Sequence, residues 1–305
     1  MRKRLSRGCF GFLVLLVAIG FAGGQTAATQ APAAKRVLMW KVSSPTTVMY
    51  LFGSIHVGDD GSYPLPAGVE TAFAASKKLI VEVNAKDMDQ TRSLELVQKY
   101  GVYPQGDGLS RHVPESTTKA LNEFASAHGL PANSFEQVKP WLASLTIVAV
   151  TLQQMGLDPK KGIDLHFIEE LKPTQQIQEL ETADFQISLL SSATEAEQQK
   201  MLEATLNEAD KLKDQLTALR AAYFNADGEA MLKLLREQQT APESLLKKLV
   251  GDRNVTMAAK LDETLHGKEP AFVVVGALHI LGENGLARLL ASKGYKVQQM
   301  VVEGK

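Results

Sequence analysis

The sequence predicts an α/β fold of the α+β kind: one mixed β-sheet bearing two long helical insertions. Runs of β-branched and apolar residues gather near the two ends of the chain, with one more around Leu180. Between them, two stretches of roughly 80 to 90 residues, Asp87 to Lys172 and Thr182 to His266, space their apolar residues at helical period.

Each element follows from local chemistry. Val37 to Val42 and Thr47 to Phe52 flank Ser43-Ser44-Pro45 and read as a hairpin. A short helix over Ala67 to Ser76 precedes a third strand, Leu79 to Val83. Pro140 sits where a helix tolerates it, in the first turn of a helix that continues through Trp141 to Gln154. Thr174 to Leu180 reads as a strand, and Glu195 to Phe224 keeps charged and apolar positions at helical spacing over many turns. Two last strands, Ala271 to Val275 and Tyr295 to Val302, bracket a helix that begins near Glu283. No internal repeat of 20 to 50 residues is present.

The amino terminus has the layout of an export signal. Met1 to Arg7 holds four basic and no acidic side chains, and an apolar run from Phe10 to Ala22 ends in the small residues Ala22-Gly23-Gly24. About a dozen apolar residues fall short of the roughly 20 that span a bilayer, so cleavage after Gly24 is expected, with an uncleaved anchor as the alternative. Either outcome places the body in the periplasm or outside the cell, with no stable membrane insertion after cleavage. Residues 25–35 read as a flexible spacer and 36–305 as one domain. The only cysteine, Cys9, lies within the leader, which leaves the mature chain without a thiol nucleophile, disulfide or sulfur ligand. Loss of four leader charges leaves 29 basic against 34 acidic residues, a net −5 that argues against nucleic acid or an anionic membrane as partner.

With six histidines and 23 glycines, fewer than one Gly-x-x-His is expected by chance, and two occur: Gly53-Ser54-Ile55-His56 and Gly276-Ala277-Leu278-His279. Each directly follows a strand-like run, and each is followed by a further glycine, Gly58 or Gly282. A glycine at a strand end lets the backbone turn sharply, and in open α/β sheets ligands bind beyond the carboxyl ends of the strands. If the two strands run parallel and close together, His56 and His279 meet there. Otherwise each is an ordinary strand-end histidine bonded to backbone.

Glu82 lies in Leu79-Ile80-Val81-Glu82-Val83, where a buried carboxylate needs a counter-charge that a metal ion supplies; on an edge strand it would instead face water. Glu181 ends the next strand and can approach the same crevice or a solvated strand end. Arg253 offers a guanidinium suited to an oxyanion or a substrate carboxylate, or to a surface ion pair. Asp164 and His166, two apart at a helix start, point to different faces and receive no metal role. His112, His128 and His266 read as structural. Gly-x-Ser-x-Gly, His-Glu-x-x-His, Walker and dinucleotide fingerprints are absent, which disfavours serine hydrolases, zincins and nucleotide enzymes. Two histidines and a carboxylate are hard or borderline ligands suited to Mn, Zn, Co or Fe(II).

At these residues the chain resembles the TraB/GumN family, whose wider group includes the Tiki metalloproteases. The resemblance runs from about Trp40 to Val302. It rests on Leu51-Phe52-Gly53-Ser54-Ile55-His56-Val57-Gly58, Pro64-Leu65-Pro66, Val81-Glu82-Val83, Lys139-Pro140-Trp141, Leu180-Glu181-Thr182, Arg253-Asn254 and Val275-Gly276-Ala277-Leu278-His279. It implies a paired Gly-x-x-His site with an acidic partner and, from the Tiki branch, metal-dependent cleavage of peptide bonds near a substrate's amino terminus. His56, Glu82 and His279 fall on the site positions, Arg253 on the basic one, and Glu181 follows as a second acidic position. Other members of the wider group are described as an esterase and as a haem binder.

The expectation is therefore a periplasmic metal-dependent hydrolase of peptide or protein substrates. His56, His279, Glu82 and Glu181 would hold one divalent ion (Mn, Co or Zn), Glu82 or Glu181 would serve as base, and Arg253 would steady the oxyanion. The competing expectation is a non-catalytic periplasmic accessory protein that binds haem, a metal or a peptide through the same histidines.

Overall fold

The computed structural model describes residues 36–87, 90–237 and 243–300. The expected leader, cleavage point and spacer, and the end of the last expected strand, lie outside these residues. The elements in chain order are β1 (Met39–Ser43), β2 (Val48–Ser54), α1 (Ala67–Ala75), β3 (Lys78–Val81), α2 (Gln90–Tyr100), α3 (Glu115–Ala127), α4 (Pro140–Gln154), α5 (Ile163–Glu169) and β4 (Gln176–Glu179). The chain continues through α6 (Ala183–Leu190), α7 (Glu195–Asn207), α8 (Ala209–Phe224), α9 (Gly228–Glu237), α10 (Glu243–Leu246), α11 (Arg253–Leu265), β5 (Ala271–Gly276), α12 (Ala277–Ile280), α13 (Leu286–Ser292) and β6 (Lys296–Met300).

One mixed six-stranded sheet runs in the order β4-β3-β5-β2-β1-β6. The four strands β4, β3, β5 and β2 are mutually parallel, whereas β1 is antiparallel to both β2 and β6. The expected hairpin is β1 with β2, in the register Met39↔Phe52 to Ser43↔Val48. The first helical insertion joins β3 to β4 and the second joins β4 to β5. β3 lies between β4 and β5 and Glu82, just past its end, is buried, which corrects the alternative of an edge strand whose Glu82 faces water.

Alternate strand residues feed opposite cores, as the period of two requires. Phe272 and Val274 of β5 pack with Phe52, Phe73, Phe167 and Tyr223 on the face covered by α1, α5 and α8. Val273 and Val275 pack with Leu51, Met257, Leu261 and Leu290 on the face covered by α11 and α13. Burying a side chain of this size contributes about 1.5–3 kcal/mol, so β5, apolar on both faces, anchors the sheet centre. The two insertions share a separate core, in which Leu121, Phe124, Ile147 and Leu152 of the first meet Leu202, Leu212 and Leu216 of the second.

The helical run expected over Glu195 to Phe224 divides at Glu208 into α7 and α8. Thr194 caps α7 reciprocally with Glu197. The division follows from packing: Leu202 and Leu212 fill the helical core, whereas Ala222 and Tyr223 at the far end of α8 reach the sheet. Among the described residues no helix is long and apolar enough to cross a membrane.

Candidate functional site

Gly53 pairs with Val275 and Ser54 with Gly276 across β2 and β5, so the two chains leave the sheet side by side at its carboxyl edge. His56 and His279, 223 positions apart in sequence, therefore start from the same edge. On the other side of β5, Val81 pairs with Val274, and Glu82 leaves β3 at the same level. A Cβ placed on Gly276 would lie 3.4 Å from Glu82 Oε1, 3.5 Å from His56 Nε2 and 3.7 Å from His279 Cδ2. The three side chains thus surround one backbone position, and its lack of a side chain leaves the space between them.

Glu82 is buried and held by three donors. Its Oε1 accepts from the Gly276 N–H at 2.7 Å, while Oε2 accepts from Arg253 Nη2 at 2.7 Å and Gln186 Nε2 at 3.0 Å. Burial alone would raise its pKa, but His279, Arg253, His56 and the Gly276 N–H outweigh it and hold the carboxyl down at about 2. Arg253, whose side chain is 1 % exposed, also grips Glu181 through Nε at 2.9 Å and Nη2 at 2.7 Å. Burial opposes the guanidinium charge, yet the hydrogen bonds and charges of Glu181 and Glu82 raise its pKa above the ordinary value.

The backbone before Arg253 is shaped for this grip. Lys247–Asp252 forms a π-helical turn that runs into α11. In an α-helix the Arg253 N–H would donate to the Leu249 carbonyl; here it donates to Val250, and Arg253 Nη1 donates to Leu249 O at 2.9 Å.

The next residue on α11 serves the second histidine. Asn254 Nδ2 donates to Asn284 O at 2.7 Å, which turns Asn254 Oδ1 toward His279 Nδ1 at 2.6 Å. Burial lowers the His279 pKa. With Asn254 Oδ1 as acceptor, the neutral form carries its proton on Nδ1 and leaves the Nε2 lone pair free. That Nε2 lies 3.8 Å from Glu82 Oε1. Two ligands of one tetrahedral ion with bonds of 2.0–2.1 Å stand roughly 3.4 Å apart, so the pair is slightly open.

His56 is the most accessible member, with 21 % of its side chain exposed. Its Nδ1 faces Asp164 Oδ2 at 3.2 Å, and its Nε2 faces the Gly276 position. Burial works against the imidazolium, but the charge and hydrogen bond of Asp164, then Glu82, raise its pKa to about 9.

The sequence-derived set is thus brought together around Gly276 with its roles redistributed. His56, His279 and Glu82 flank the Gly276 position. Glu181, expected as a ligand, directs both oxygens to Arg253 and also accepts from Gln186 Nε2 at 3.0 Å. Arg253, expected at an oxyanion, spends Nε, Nη1 and Nη2 on Glu181, Leu249 and Glu82. Asp164, expected to have no metal role, backs His56, and Gln186 and Asn254 complete the network. Among the described residues, no three His, Cys, Asp or Glu side chains already close on a common point as metal ligands. The donor types nevertheless fit a hard or borderline divalent ion: a free imidazole nitrogen, a second imidazole and a carboxylate kept ionised.

A model of the TraB/PrgY/gumN family matches residues 38–299. The chain belongs to the TraB/PrgY/gumN family. Within it, this member is 26 % identical over 242 residues to the uncharacterized protein YbaP of Escherichia coli (strain K12), an alignment covering 79 % of this chain and 87 % of YbaP. The YbaP protein of Shigella flexneri matches to the same extent, 26 % over 242 residues with the same coverage. An uncharacterized protein of Treponema pallidum (strain Nichols) is 21 % identical over 208 residues, covering 67 % of this chain and 62 % of that protein. No solved structure matches this TraB/PrgY/gumN chain.

Proposed function

We propose that this TraB/PrgY/gumN member is an exported metal-dependent hydrolase of peptide bonds, in which His56, His279 and Glu82 hold one divalent ion, Mn, Co or Zn. The observation that carries the reading is the convergence of His56 Nε2, Glu82 Oε1 and the His279 ring on the Gly276 position while both Nδ1 atoms are engaged from behind. Outward-facing Nε2 atoms with Nδ1 held by an acceptor are the arrangement of metal-ligating histidines. Export rests on the basic and apolar layout of Met1 to Gly24.

When bound, such an ion supplies Lewis-acid polarisation of a carbonyl and a lowered pKa for water. The chain's own residues prepare its place. Arg253, Gln186 and the Gly276 N–H keep Glu82 ionised and fixed in direction, and Glu181 in turn neutralises and fixes Arg253. Glu82 therefore acts in this reading as an ionised ligand rather than a proton acceptor, since a carboxyl held at about 2 is a weak base near neutral pH. Asn254 sets which nitrogen of His279 is free.

The same low pKa favours one other reading, a periplasmic protein that binds a metal, haem or peptide and turns nothing over. A peptide-library cleavage assay with Mn, Co or Zn, with and without chelator, distinguishes the two. The hydrolase gives defined cleavage products that chelator abolishes and added metal restores. Tight binding of metal, haem or peptide with no product under any of the three metals overturns it.

A further inference from the structure

We propose that Asp164 is the positioning residue of His56 and that the segment Asp158 to Asp164 is a clamp that sets the site's accessible histidine. The inference rests on the metal-centre reading and adds to it a residue from outside the paired motifs.

The clamp is visible in the backbone. Gly58 and Asp158 exchange both hydrogen bonds, N to O at 3.1 and 2.8 Å, and the Ile163 N–H donates to Ile55 O at 3.0 Å. His56 is thereby laced on either side, through Ile55 and Gly58, to the start of α5 and the turn before it. The lacing is close enough to need glycine on each strand. A Cβ on Gly58 would stand 2.1 Å from Lys161 O, and one on Gly162 would stand 2.7 Å from His56 O. Tyr63 donates its hydroxyl to Lys161 O at 3.1 Å and braces the same turn.

Held in this way, α5 presents Asp164 to His56 Nδ1 at 3.2 Å. The other carboxylate oxygen, Oδ1, is buried with no hydrogen-bond partner among the described residues, and among them the imidazole is the one group the carboxylate engages. An acceptor on Nδ1 fixes the ring plane and directs Nε2 to the Gly276 position. The two histidines are therefore backed differently: His279, buried, by the neutral amide of Asn254, and His56, partly open to solvent, by a carboxylate. A carboxylate behind an imidazole increases its donor strength, which suits the more exposed of two ligands.

The test is a series of Asp164→Asn, Asp164→Glu and Asp164→Ala in the full mature chain, read by Co(II) affinity through chelator competition and by thermal melting of the metal-free protein. Asp164→Ala should weaken Co(II) binding roughly 10- to 100-fold, the range for residues that orient a metal-bound histidine, and Asp164→Asn, which keeps an acceptor, should fall between it and wild type. Asp164→Glu should recover part of the loss. Co(II) affinity equal to wild type in Asp164→Asn and Asp164→Ala overturns the proposal while leaving the metal centre standing, as does an affinity that changes only in proportion to lost thermal stability. A wild-type protein that binds no Co(II) overturns the metal centre and this proposal together.

Discussion

Arg253 and Glu82, 171 positions apart in the chain, meet at 2.7 Å in the interior, and the same guanidinium nitrogen bonds Glu181 at 2.7 Å. One cation thus serves two buried carboxylates. Removing one member of a buried ion pair costs far more than the pair contributes, because the remaining charge is left unpaired. Arg253→Met is therefore expected to lose about 3–5 kcal/mol of folding stability in urea titration. Adding Glu181→Gln to Arg253→Met should cost less than the two single losses together, since one stranded carboxylate is then gone. Additive losses would show that the two residues are not coupled.

Gly276 and Gly58 make opposite predictions for the same change to alanine. At Gly276 the backbone angles of φ −51° and ψ 136° suit any residue, and the added Cβ would meet its nearest neighbour at 3.4 Å, an ordinary contact. Gly276→Ala should melt near wild type yet lose ligand binding, because its methyl occupies the point where His56, His279 and Glu82 converge. At Gly58 the Cβ would stand 2.1 Å from the Lys161 carbonyl oxygen, so the backbone must move. Gly58→Ala should lose about 1–3 kcal/mol, the usual cost of forcing extra volume into a packed region. A Gly276→Ala protein that binds metal as wild type would show that the convergence point is not the binding point.

The metal-free protein should show stability limits on both sides of a plateau. Glu82 has a folded pKa of about 2 against an ordinary 4.5, so its contribution, on the order of 3 kcal/mol, is present above 4.5 and lost as pH falls toward 2. His56 has a folded pKa of about 9 against 6.5, so its contribution is complete below 6.5 and lost as pH rises through 9. Urea midpoints measured with chelator across this range should therefore be highest between these limits. In Glu82→Gln the acid-side fall should be shallower, and in Asp164→Asn the alkaline-side fall should be. Unchanged slopes in both variants would contradict these assignments.

Much of the sheet was legible because strand patterning is local. The apolar runs of β2 and β5 lead directly into Gly53 and Gly276, and their parallel pairing follows once a shared site for His56 and His279 is supposed. The division of the 195–224 run was not legible, since Glu208 carries no breaker signal and the turn answers to which core each half fills. Asp164 has His166 as its sequence neighbour on α5, whereas its partner His56 follows β2 and reaches it through the Gly58 clamp. Gln186 and Asn254 are uncharged amides that stand out in no pattern, and only the fold brings them to Glu82 and His279. Arg253 and Glu181 were visible as residues but not as each other's partners. Their spacing across the second insertion carries no local trace, and the π-helical turn that aims Arg253 has no sequence signature among those recognised.

Whether His56, His279 and Glu82 form one metal centre is tested most directly by the metal stoichiometry of the purified mature chain. Equilibration with Mn, Co or Zn followed by metal analysis should give about one tightly held ion per chain, as expected for a single site with nitrogen and carboxylate ligands. The His56→Ala/His279→Ala double variant, with unchanged circular dichroism, should hold none. A wild-type chain that retains no divalent metal, or a double variant that retains as much as wild type, would contradict the account.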